Sequence, residues 1–296
     1  MRFFMFDIPV TYIISGNLET DEKRRNLMAA FANAGAKHLV LSNTFISQIM
    51  MDHKFADILK KDMDEYGLNF MDAHSPFGGV LDLNCPDPAF RPRMLTRHTL
   101  AMQISAALGV KTITIHPGSD RFFPEIPLEK HLDLMRDAIE QLLVEAEKCG
   151  IIICIENSMS RAACPREVVK LKSEFDSPYL GLCYDSGHAH QLDAARYLSD
   201  SVIHQFWRTV GVETPEWDDQ ALERMLPDIV NCHLHDNDGS EDAHRIPGNG
   251  TINWNRVIPL LKRAPKLQVI QCEVLRRPNE TAAEICEKFN ELGRIS

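Results

Sequence analysis

The sequence predicts an α/β protein built as a single (β/α)8 TIM barrel over residues 1–296. Three observations predict it. Eight short apolar runs alternate with about eight longer segments of helical spacing. Several of the runs are apolar nearly throughout, as strands covered on both faces are. The longer segments stop repeatedly at glycine, the residue that most readily ends a helix. Eight parallel strands with right-handed crossovers close a barrel. The alternative, a doubly wound open sheet of the dinucleotide-binding kind, lacks its G-x-G-x-x-G after the first run.

In chain order, the first run is Phe3–Ile8. The segment Asp21–Ala34 reads as a helix ending at Gly35, ahead of the second run, His38–Ser42. Lys54–Tyr66 ends at Gly67 and leads into the third run, Leu68–Ala73. A long loop over Ser75–Arg93 follows. Arg97–Leu108 ends at Gly109 before the fourth run, Lys111–Ile115, and the charged stretch Arg91, Arg93 and Arg97 reads as the start of that helix. Leu128–Cys149 sets Leu132, Met135, Ile139, Leu142, Leu143 and Ala146 on one face. It ends at Gly150, and the fifth run is Ile151–Ile155. The sixth is Leu180–Tyr184. A second long loop, Asp200–Pro227, carries Trp207 and Trp217 and predicts extra helix ahead of the seventh run, Ile229–Leu234. Loops of such length act as lids or subunit contacts. The eighth run is Leu267–Glu273, and the last helix is Thr281–Leu292, stopping at Gly293.

With 44% hydrophobic and 25% charged residues, composition excludes disordered and fibrous classes. Mean hydropathy is -0.21, and no run approaches the ~20 apolar residues of a membrane span, so no membrane partner is expected. The apolar stretch Met1–Ser15 is interrupted by Asp7 and Pro9 and is followed by no small-residue cleavage site, which argues against a signal peptide. Eight cysteines (Cys85, Cys149, Cys154, Cys164, Cys183, Cys232, Cys272 and Cys286) form no C-x-x-C pair, so no cysteine zinc site is signalled. They read as reduced thiols of a cytoplasmic protein. A net charge of -10 argues against a nucleic-acid partner. A homo-oligomer is compatible with all of this.

In a barrel the chemistry sits where strands end. The third run is followed by His74, the fourth by His116, the fifth by Glu156 and the sixth by Asp185. The seventh contains His233 and the eighth closes on Glu273. A single histidine after a strand is more often a satisfied structural residue than a ligand. Six consecutive strands ending in His, Glu or Asp converge on one mouth, where ionisable groups are costly unless paired or bound to a metal. Imidazole and carboxylate without thiolate suit a divalent ion, Zn, Mn, Co or Mg, with Zn or Mn favoured by the imidazoles.

These residues make the chain similar to the xylose-isomerase-like TIM-barrel superfamily, from about His74 to Glu273. That group includes ketose epimerases, hydroxypyruvate isomerase, inosose dehydratase and the endonuclease IV branch. The stretch from His233 to Trp254 resembles the family's H-x-H-D-N-D-G…D-x-H-x-x-P-G-x-G-x-I-D-W, with Asn249 where Glu is usual and Asn253 where Asp is usual. The resemblance implies a metal held by Glu156, Asp185, His233 and Glu273. The endonuclease IV branch adds His74 and His116 for a second ion, and His188, Asp242 and His244 for a third. In epimerases the positions of His188 and His244 bind substrate hydroxyls, and an Arg is common at the second, so His244 departs from that pattern.

The resulting expectation is a metal-dependent sugar isomerase or epimerase. It would move a proton next to a carbonyl through a metal-stabilised enediolate, with Glu156 and Glu273 as acid–base groups. His74, His116, His188 and His244 would grip a small carbohydrate or hydroxy-carbonyl substrate. Arg276 and Arg277 are candidates for holding a phosphate or carboxylate, with a solvated loop pair as the plainer reading. A dehydratase or lyase, or a non-catalytic binder, is an alternative on the same fold. So is an endonuclease IV-like zinc phosphodiesterase on abasic DNA. Against the latter, Met159-Ser160-Arg161 stands where that branch has G-Q-G, and the loop after His116 reads as free of basic–aromatic interleaving. His235, facing the same side as His233, is a candidate to support the ligands. Phe77 and Trp254 could wall the pocket, with core as the plainer reading. His38, His53, His98, His131, His190 and His204 read as structural.

Overall fold

The computed structural model describes residues 6–14 and 20–296. Eight strands, each parallel to the next, form a closed barrel: β1 (Val10–Tyr12), β2 (His38–Leu41), β3 (Asn69–His74), β4 (Thr112–Ile115), β5 (Ile152–Glu156), β6 (Leu180–Asp185), β7 (Ile229–Leu234) and β8 (Val269–Cys272). Closure is made by β1 on β8, in the register Thr11 to Gln271.

Seven of the eight predicted runs hold a strand. The first is corrected. Phe3, Phe4 and Met5 of that run lie outside the described residues, and Phe6–Ile8 is not strand; the chain enters the sheet at Val10. Pro9 has no N–H to give a ladder, so it leads into the strand, and its carbonyl accepts from Ile270 N at 3.0 Å. Val-Thr-Tyr then supplies the β-branched and aromatic residues that suit a strand.

Alternation along the strands divides the side chains in two. Ile113, Ile115, Ile153, Ile155, Leu182, Leu234 and Ile270 are buried in the main apolar core between strands and helices. Their neighbours point inward: Asn231 Nδ2 on β7 reaches across to Thr114 Oγ1 on β4 at 3.2 Å and to Asp72 Oδ2 on β3 at 3.4 Å. The apolar core therefore lies outside the barrel, and the inside is polar.

Helices Phe55–Tyr66 and Leu128–Cys149 end at Gly67 and Gly150, both at φ 62, where a side chain would be strained. The helix Arg91–Ala107 includes the whole arginine stretch, with Pro92 in its first turn. In the last helix, Ala282–Gly293, Thr281 and Glu284 form a reciprocal cap at the start. Gly293 is corrected: it lies inside the helix, and Arg294 is the cap. The loop after β6 holds the expected extra helix, Val202–Thr209. Trp207 anchors it in a small separate core with Met159, Leu192 and Ile203, and its Nε1 donates to the Met159 carbonyl at 2.9 Å. Among the described residues, no helix is long and apolar enough to cross a membrane.

Candidate active site

Glu156 is the last residue of β5, Asp185 the last of β6, His233 sits near the end of β7, and Glu273 follows β8 directly. All four are buried, and one donor atom from each lies within 4.8 Å of the others. His233 Nδ1 is 3.3 Å from Glu156 Oε1, 3.3 Å from Glu273 Oε2 and 4.0 Å from Asp185 Oδ2. Three carboxylates this close repel one another unless positive charge lies among them. Among the described residues, Glu156 Oε2 and His233 Nδ1 are buried with no hydrogen-bond partner. The other nitrogen of His233, Nε2, is 3.2 Å from Thr114 Oγ1, which fixes the ring with Nδ1 turned into the cluster. Three carboxylates and one imidazole with orphaned atoms, and no thiolate, fit a divalent ion.

A ring of histidines surrounds these four. His74 Nδ1 donates to the Ser75 carbonyl at 2.9 Å, His188 Nδ1 to the Asn157 carbonyl at 2.9 Å, and His244 Nδ1 to the Glu273 carbonyl at 2.8 Å. Each bond fixes the tautomer and leaves Nε2 facing the carboxylates. His74 Nε2 is 3.7 Å and His116 Nε2 3.0 Å from Glu156 Oε2. His188 and His244 place Nε2 at 3.2 and 3.0 Å from Asp242 Oδ2. Two further donor trios arise, His74–Glu156–His233 and His235–His244–Glu273.

Charge within the cluster is balanced by these imidazoles. Burial would raise the carboxyl of Glu156, but His233 and His116 hold it well below the usual range. Burial likewise opposes Asp242, which His188 and His244 hold down. At His188, burial favours the neutral ring, yet Asp185 and Asp242 push it well above the usual value. His244, against the same burial effect, is raised to about 9 by Asp242 and Glu273.

Local structure explains the placement. Asp185 Oδ1 accepts from His188 N at 2.6 Å and so caps the helix Ser186–Ala194 while facing the cluster. Asn157 clamps the Asp185 backbone from both sides, Nδ2 on its carbonyl at 3.2 Å and Oδ1 on its N–H at 2.8 Å. Asn157 was missed as a positioning residue; the Glu156-Asn157 pair at a strand end was its only signal. His235 goes further than a supporting role. It lies 3.0 Å from Asp185 Oδ2, stacks on His244 at 3.9 Å between ring centroids, and belongs to a donor trio. The loop after β7 is tied by Asp236, whose carboxylate accepts from Gly248 N, Ile252 N and Trp254 Nε1 at 2.7, 3.2 and 2.9 Å. Trp254 is thus core. His244 has φ 44, a left-handed conformation that a non-glycine residue adopts only when its surroundings hold it there.

The cluster opens into a cavity of ≈ 300 Å³ lined by His116, Glu156, His188, Asp242, Phe77, Met159, Arg121 and Phe206, among others. Phe77 packs on His116 at 4.3 Å between centroids, so it is the wall. The reading of the loop after His116 is corrected. Arg121 there lies against Phe122 and against Phe206 from the distant helix, 4.7 and 3.8 Å from the ring centroids. Phe206 reaches it only through folding. The structure does not bring Arg276 to the cluster: it is exposed, and its Nη1 donates to the Glu280 carbonyl at 2.9 Å.

The sequence pattern described as xylose isomerase-like TIM barrel matches residues 32–292. An uncharacterized protein of Methanocaldococcus jannaschii is 27% identical over 219 residues, 71% of this chain and 66% of that one. A crystal structure of a D-tagatose 3-epimerase-like protein superposes with TM-score 0.70 at 19% identity, covering 96% of each chain. The structure of the IolI protein with a binding zinc atom gives TM-score 0.70 at 17% identity, again over 96% of each.

Proposed function

The chain belongs to the xylose isomerase-like TIM-barrel family, and on that premise we propose that it is a divalent-metal-dependent isomerase or epimerase of a small carbohydrate or hydroxy-carbonyl compound. The observation that carries this reading is that Glu156 and Glu273 each bring a carboxylate oxygen to 3.3 Å from His233 Nδ1, at the floor of a closed barrel. Two carboxylates converging on one site can share the work of removing a proton from a carbon and returning it to another carbon or face.

Glu156, Asp185, His233 and Glu273 would hold a divalent ion, which would supply a Lewis acid for the charge that builds on a carbonyl oxygen. The rest falls to side chains. Either glutamate takes the proton from the carbon beside the carbonyl, and the other delivers it. His74 and His116 on Glu156 Oε2 and Gln271 Nε2 on Glu273 Oε1, the last at 3.3 Å, orient the two carboxylates. His188 and His244, with ring positions fixed by backbone carbonyls, orient substrate hydroxyls. Phe77 and Met159 keep water from the reacting carbon. The imidazoles favour Zn or Mn over Mg, and a structure of similar fold is described with a bound zinc atom. Eight unpaired cysteines, seven of them buried, support a reducing, cytoplasmic setting.

The two extra donor trios favour one competing reading, a three-metal phosphodiesterase. One experiment separates them. Metal-loaded protein incubated with ketoses and aldoses in D₂O is expected to place deuterium on the carbon next to the carbonyl and to leave an abasic duplex intact. No exchange with any sugar, together with incision of the duplex, would overturn the proposal.

A further inference from the structure

The cavity above the cluster is lined by an arginine, Arg121, that has no ion-pair partner among the described residues. Arg121 lies in the short helical turn Asp120–Phe122, in the loop that follows β4. Its neighbour Asp120 is buried and satisfied, accepting from Arg161 Nε at 2.8 Å. Arg121 has no such pair. Among the described residues no carboxylate lies within ion-pairing distance of it, and its Nε is buried without a hydrogen-bond partner. Burial pulls it below the usual arginine value, and the more distant Asp82 offsets only part of this.

What holds the guanidinium is aromatic. Phe206 and Phe122 lie at 3.8 and 4.7 Å from it. Stacking on ring faces fixes the plane of the group and leaves its edge N–H donors pointing past the rings. Those donors form a rigid fork suited to two oxygens of one anion. Phe206 comes from a helix anchored by the buried Trp207, so the clamp is built from two separate loops of the fold. Arg121 lines the same cavity as Glu156 and His188. A half-buried cation of this kind is costly in the free protein, and an anion entering the cavity would relieve that cost.

We infer that Arg121 is a specificity-determining residue that receives a terminal carboxylate or phosphate, so that the substrate is an anionic hydroxy-carbonyl compound and not a neutral sugar. The inference rests on the isomerase or epimerase reading of the same site. The histidines of the same cavity, His116 and His188, are already engaged by Glu156 and Asp242, which leaves Arg121, among the described residues, as the cation free to meet an anion.

The test uses the full chain loaded with manganese or zinc and the D-2-ketohexoses, each as the neutral sugar, its 6-phosphate and its 6-carboxylate. Two quantities are read. One is kcat/KM for deuterium exchange. The other needs no turnover: the Arg121 Nε–H signal in nitrogen-15 NMR of the zinc-loaded protein, identified by its loss in Arg121→Lys, is followed as each compound is added. The expected result is a preference for a charged form over its neutral sugar on the order of 10- to 100-fold, the size of a charge-assisted hydrogen-bonded pair. The Arg121 signal moves with the charged forms alone. In Arg121→Gln the charged-to-neutral ratio collapses toward one, and Arg121→Lys keeps part of it. The better of the phosphate and carboxylate arms names the group. Neutral sugars used as well as charged ones would overturn the inference while leaving the isomerase reading intact. So would an unchanged ratio in Arg121→Gln accompanied by a lowered melting temperature, which would make Arg121 a clip between loops. If no compound exchanges, charged or neutral, the isomerase reading fails and this inference falls with it.

Discussion

Thr114 shows how a residue outside the ligand set governs the cluster. Its hydroxyl meets His233 Nε2 and also accepts from Asn231 Nδ2. Thr114→Val keeps the shape and deletes the acceptor. The ring of His233 then loses the bond that fixes its tautomer, and metal affinity is expected to fall about 10- to 100-fold, measured by competition with a chromophoric chelator. Unchanged affinity would show that packing alone holds the ring. The two flanking glutamates give a sharper outcome. Glu156→Gln and Glu273→Gln, assayed at saturating metal, are each expected to lower kcat by about 10²- to 10⁴-fold. A variant that turns over normally with metal bound takes its glutamate out of the proton-transfer step. These residues were legible in the sequence because each closes an apolar run, where a charge has no ordinary reason to be. Asn157 and Arg121 were not, since their roles depend on what another segment brings to them.

At the scale of the element, the segment from His233 to Trp254 reads as a site motif, and half of it is scaffold. Asp236 receives three N–H donors from within the loop, and Asp236 and Arg245 bond to each other through their backbones. Asp236→Ala leaves buried donors unpaired, and a loss of about 3 kcal/mol or more in urea unfolding is expected. A loss below about 1 kcal/mol would mean that the loop holds itself without the carboxylate. Gly187 is fixed for a similar reason: a methyl there would meet His235 Cε1 at 2.0 Å. Strand positions were readable because apolar runs of strand length between glycine-stopped helices leave little choice. The first strand was not. Phe3–Ile8 is as apolar as the others, and the entry point is set by Pro9 and by pairing with β8, which are facts of the closed sheet.

For the whole molecule, binding of the ion and folding are linked. An ion that binds only the folded chain stabilises it by about 2.7 kcal/mol at a hundredfold excess over Kd, so chelation is expected to lower the melting temperature and zinc or manganese to restore it. A melting temperature indifferent to both would remove the metal from the reading. The proton competes for the same atoms. Against the burial that favours its neutral ring, His233 is raised well above its usual value by Cys183, Glu273 and Glu156, so it carries a proton that the ion must displace. Metal affinity is therefore expected to weaken as pH falls, with protons released on binding, both measurable by calorimetry in buffers of different ionisation heat.

The seam between β1 and β8 has a consequence for the order of assembly. The strands that close the barrel are the first and the last along the chain, so this contact is the one with the longest loop to close. Glu273 stands one residue beyond β8. During synthesis, Glu156, Asp185 and His233 emerge earlier but lack their fourth companion until the final strand docks. The floor of the candidate site is therefore completed in the same event that seals the cylinder, and a half-made chain lacks one of its four donor residues.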